Sequence, residues 1–154
     1  MHILARKLAI ALLGLSLSFA AIADSEFKKH YTDDELIGIL KDQGYRLVEK
    51  SEDRVLTMEV GGLTYVLYVY DDDDLQLYFG LTGYVVTPES INEWNRTKRL
   101  ARAYIDQVDD PVVESDLLAN AGYTEQQFIE FVNVFDLIAR DFRQFVAEHD
   151  ESED

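Results

Sequence analysis

No cysteine occurs anywhere in the 154 residues. That excludes disulfide staples, a lipoprotein anchor acylated on cysteine, and thiolate zinc sites. Histidine is nearly as scarce. His2, His30 and His149 share no helical face, so neither a histidine metal centre nor a Ser/His/Asp hydrolase can be assembled from them. No glycine-rich loop of the phosphate-cradling kind is present. Proline is limited to Pro88 and Pro111, and no proline-rich or low-complexity linker divides the chain. Positive charge is in short supply too. Fourteen Lys and Arg stand against 30 Asp and Glu, for a net charge of −16. Nucleic acid and anionic lipid need a cationic face, so that balance argues against both, and a cationic partner suits it better. The excess negative charge also keeps an exported protein soluble.

One long apolar run exists, at the very start. Arg6 and Lys7 precede the apolar stretch Leu8 to Phe19, and Ala21-Ile22-Ala23 follows as a small-x-small cleavage pattern. The run is shorter than the roughly 20 apolar residues of a membrane-spanning helix. The expectation is a signal peptide over residues 1–23, cut after Ala23, with no stable membrane insertion afterwards and a periplasmic or secreted location. Removing that segment takes away two basic residues and no acidic one, so the mature chain is more acidic still. Residues 24–148 are the length of one domain able to bury a core without staples. Residues 149–154 read as an acidic tail, frayed at the end of the last helix.

Thr32-Asp33-Asp34-Glu35 is a capping box opening a short helix through Leu36, Ile39 and Leu40, which stops near Gly44. Runs rich in β-branched and aromatic residues follow. Tyr45 to Glu49 and Arg54 to Val60 flank a polar turn, Lys50 to Asp53, and Gly61-Gly62 signals a tight hairpin. Leu63 to Tyr70 is apolar on both faces, which predicts a central strand covered on both sides. Asp71 to Asp74 read as a solvated turn, because Leu75 and Gln76 break the pattern of a calcium loop at once. Leu75 to Leu81 alternates as a further strand. Thr87-Pro88 opens a second helix, and Ala101 to Asp106 pairs with Val112 to Leu118 across a turn. Thr124 and Gln127 cap a long last helix whose stripe includes Phe128, Phe135 and Phe142. The order α-β-β-β-β-α-β-β-α predicts an α+β fold, with an antiparallel sheet and helices packed on one face.

The densest signature lies between Pro88 and Asp116. Ile91-Asn92-Glu93-Trp94-Asn95-Arg96-Thr97-Lys98-Arg99 is followed by Ala103-Tyr104-Ile105-Asp106 and by Asp110-Pro111-Val112-Val113-Glu114-Ser115-Asp116. These strings resemble the YbjN-like family of bacterial proteins, described as sensory-transduction regulators. The resemblance implies a fold similar to type III secretion chaperones, a non-enzymatic role and self-association. It brings no catalytic or cofactor residues.

Trp94 is either a core indole or a platform for a partner; in the core its N–H needs an acceptor. Asn95 reads as a hydrogen-bonding anchor between helix and strand. Lys98, Arg99 and Arg102 form a cationic cluster in an acidic chain. They either pair internally or meet a partner's carboxylates, and with Trp94 and Tyr104 they make the candidate contact set. Tyr65, Tyr68, Tyr70 and Tyr78 mark strands that need cover, which a partner can supply in place of the protein's own helices. The resulting expectation is an exported binding protein with no cofactor and no metal, whose partner is a protein client or a second copy in a homodimer. Its alternatives are a binder of a small anion at the basic cluster, and an enzyme, for which no acid/base pair or nucleophile stands out.

Overall fold

The computed structural model describes residues 27–152; the expected signal segment and its cleavage site lie outside them. Helix α1 spans Asp33–Asp42, and its capping box forms as expected between Thr32 and Glu35. Four strands follow: β1 (Arg46–Glu52), β2 (Val55–Val60), β3 (Leu63–Val69) and β4 (Leu75–Gly80). Helix α2 (Pro88–Thr97) then leads to β5 (Arg102–Ile105) and β6 (Pro111–Leu117), and α3 (Glu125–Glu148) closes the chain. All neighbouring strands run antiparallel, in the order β1-β2-β3-β4-β6-β5.

The sheet is one-sided. Leu56 and Met58 of β2, Tyr65 and Leu67 of β3, Leu75, Leu77 and Phe79 of β4 and Val113 of β6 point one way. They join Leu36, Leu40, Trp94, Phe128, Phe135 and Phe142 of the three helices in one buried cluster. The β3 expectation therefore fails on one side. Its alternate residues Val66 and Tyr68 are only half-buried, because no helix among the described residues covers that face.

Three local differences from the sequence reading have identifiable causes. Strand β1 runs on to Glu52, through most of the expected turn. Leu47 at φ +52° and irregular register against β2 bend it, and the turn tightens onto Asp53 and Arg54 (φ +59°). The tetra-aspartate turn is only partly solvated. Asp73 pairs with Arg54, and Asp74 Oδ1 accepts the Ala119 amide at 2.6 Å. The tail does not fray at once. The Glu151 amide donates to the Val85 carbonyl at 2.8 Å, and the Val85 amide donates to Asp150 Oδ1 at 2.9 Å. At the Gly61-Gly62 hairpin both residues have positive φ (+57° and +83°), the left-handed pair that a two-residue turn of this hand requires.

Candidate functional site

The signature segment builds a joint between α2 and β5. Ile91 and Trp94, three residues apart, are the buried face of α2. The Trp94 ring meets Phe142 of α3 edge-on at 5.0 Å between centroids and tilts against Phe145 at 5.4 Å. At 1% exposure it is a core residue, and its Nε1–H has no hydrogen-bond partner. Lys98 Nζ lies 5.2 Å from the centre of the same ring and pairs with Asp141 at 2.5 Å.

Asn95 is the anchor expected of it. Its Nδ2 donates to the Ala103 carbonyl and its Oδ1 accepts the Ala103 amide, both at 2.9 Å. A side-chain amide thus supplies what a seventh strand would have offered to the edge of β5. Ser115 reinforces the joint by donating its hydroxyl to the Leu100 carbonyl at 2.6 Å.

The candidate contact residues are divided by this joint. Trp94 and Lys98 face α3. Arg99 sits exposed in the connection, with no carboxylate within ion-pair distance among the described residues. Arg102 and Tyr104, two apart on β5, fall on the other side, the open face of the sheet. There Arg102 pairs with Glu114, and the Tyr104 hydroxyl donates to Glu114 Oε2 at 3.0 Å. Glu114 is 4% exposed, so its charge is matched where it is buried. The glutamate raises the Arg102 pKa through a hydrogen bond and its charge. The Tyr104 hydroxyl is raised by burial first and then by Glu114.

Among the described residues, no helix covers the open face. From β2 across to β5 it presents Val55 and Thr57, Val66 and Tyr68, Gln76 and Tyr78, Val112 and Glu114, and Arg102 and Tyr104. Tyr68 and Tyr78 meet edge-on with centroids 6.4 Å apart. The Tyr78 hydroxyl lies over Gly80, where a Cβ would come within 3.1 Å of it. Beside Tyr78 and Tyr104 is a shallow depression of about 600 Å³, closed by Ile105, Asp106, Gln107 and Val108. Burial raises the Tyr78 pKa, and the charges of Asp106, Asp110 and Glu114 raise it further. Tyr65, grouped by sequence with these tyrosines, points into the core instead and donates to Asp136 at 2.7 Å. The buried Glu114 and Val112 escaped the sequence reading. Their signal was the alternation of Val112, Glu114 and Asp116 with Val113 and Ser115.

The fold, an antiparallel sheet with three helices on one face, is similar to that of a type III secretion chaperone. A crystal structure of the Yersinia pestis type III secretion chaperone SycH, in complex with a stable fragment of YscM2, superposes with a TM-score of 0.54 at 14% identity. The match covers 71% of this chain and 98% of that one. The chain belongs to the YbjN family, described as "Putative bacterial sensory transduction regulator", whose model matches residues 32–148. A comparison with curated proteins finds no significant match.

Proposed function

We propose that this YbjN-family protein is an exported, non-enzymatic binding protein that holds a polypeptide on the open face of its sheet. The observation that carries the reading is the half-buried tyrosine and valine surface of β2, β3 and β4, which no helix covers among the described residues. The family is described as a sensory-transduction regulator, which supports a non-enzymatic role, and the structural neighbour was crystallised with a protein fragment. The reading in which a small anion binds the basic cluster loses support. Lys98 and Arg102 already have carboxylate partners in Asp141 and Glu114, so of the three cations only Arg99 is unpaired among the described residues. Export rests on the N-terminal pattern of residues 1–23.

Site-specific photo-crosslinking in the bacterial cell tests both parts. A crosslinker at Val66 is expected to yield covalent adducts with another polypeptide, recovered with the envelope fraction. The same group at Leu137, exposed on α3, is expected to yield none. Equal adducts from both positions, or none from Val66, would sink the reading. N-terminal sequencing of the recovered protein is expected to begin at Asp24.

A further inference from the structure

The open face has a chemistry as well as a shape. Tyr68, Tyr78 and Tyr104 are the aromatic surfaces. Around them stand Asp106, Glu114 and Asp116, with Glu49 and Glu59 further along the same face, where Arg46 lies cross-strand from Glu59. The cation set into the tyrosine cluster, Arg102, is already bound to Glu114. Tyr78 makes the imbalance concrete: Asp106, Asp110 and Glu114 all bear on it, and of these only Glu114 has an ion-pair partner among the described residues. Aromatic faces framed by carboxylates that outnumber the neighbouring cations suit an ammonium or guanidinium group.

A second copy of this chain is poorly suited to that surface, since it brings the same acidic excess, 30 acidic residues against 14 basic. Edge pairing is restricted too. Asn95 occupies the free hydrogen-bonding groups of Ala103 on β5. The opposite edge, β1, is charged and irregular in register. A partner is therefore held across the face, through side chains.

On these grounds we propose that the face takes an extended basic segment of another polypeptide. Its lysine or arginine side chains lie against Tyr78 and Tyr104, beside Asp106, and its intervening apolar residues lie on Val55, Val66 and Tyr68. This deepens the polypeptide-binding reading and rests on it.

The test titrates the purified protein with a short blocked peptide alternating lysine and valine, and with its glutamate-valine counterpart, by calorimetry at low salt. Saturable binding of the lysine peptide, no binding of the glutamate peptide and weakening with added salt are expected. Tyr68→Lys places a cation in the middle of the face and is expected to weaken binding about tenfold or more. Thr57→Lys, cross-strand from Val66, is run beside it so that the result does not depend on one variant folding. Leu137→Lys adds the same charge on the helical side and is expected to bind as the parent does. No binding, equal binding of both peptides, or an equal loss in Leu137→Lys would overturn the proposal. So would a dimer in light scattering that Tyr68→Lys dissociates. If crosslinks from Val66 form while the lysine peptide fails to bind, polypeptide binding stands and the cationic chemistry falls. If neither is seen, both fall.

Discussion

Trp94 is held by aromatic rings on two sides and by the Lys98 ammonium near its face, yet its indole N–H has no acceptor. An unpaired buried donor costs about 1–3 kcal/mol, so the side chain is retained for its packed volume. Trp94→Ala is expected to lower unfolding stability by about 3–5 kcal/mol in urea titrations. A loss below about 1 kcal/mol would contradict the core assignment. Lys98→Ala, removing a partly exposed pair with Asp141, should cost no more than about 1 kcal/mol. The burial of Trp94 was legible in the spacing of Ile91 and Trp94 along one helical face. The lodging of Lys98 was not, because its partner is 43 residues away on another helix.

Among the elements, the α2–β5 joint ties helix to sheet through one amide. Asn95→Ala leaves the Ala103 amide and carbonyl without their partner and is expected to cost about 1–3 kcal/mol. The diagnostic readout is hydrogen exchange: the Ala103 amide should lose its protection while amides in β3 keep theirs. Unchanged protection at Ala103 would show that the side chain is dispensable to the edge. Helices and hairpins were readable in advance because their signals are local: capping boxes at Thr32 and Thr124, a glycine pair at 61 and 62, a proline at the first turn of α2. The extent of β1 and the bare face of β3 were not. Whether an apolar strand face is covered depends on where distant helices pack, and nothing in Leu63 to Val69 records that.

Across the whole molecule, one charged cluster joins three separate turns. Arg54 bonds the Tyr31 carbonyl, Asp33 at the start of α1 and Asp73 between β3 and β4. Lys50 reaches both Asp33 and Asp53. Burial pushes the Asp33 carboxyl up. Hydrogen bonds from Lys50 and the Arg54 amide, with the charges of both residues, outweigh it, and its pKa falls below the ordinary 3.8. A carboxyl depressed in the folded state stabilises the fold above pH 3.8, and that contribution drains away as the pH falls through the lower folded value. Glu35, brought to about 2 chiefly by its hydrogen bond with Lys28, carries the same trend to lower pH. Asp33→Asn is therefore expected to lose about 1–3 kcal/mol at neutral pH and progressively less as the pH is taken down from 3.8. The same loss across that range would show that the carboxylate charge is not what matters.

The strand order carries a consequence for folding kinetics. Strands β1 to β4 are successive neighbours joined by short turns, a meander whose contacts are close in sequence. Strand β6 reaches β4 only after an excursion through α2 and β5, pairing Leu75 with Leu117. Contacts that close long loops pay chain entropy before they return stability, and such seams form late and open early. The β4–β6 seam is thus the natural fracture line of the sheet. It runs directly beneath Tyr78, so a polypeptide lying across the open face would bridge the two halves and slow their parting.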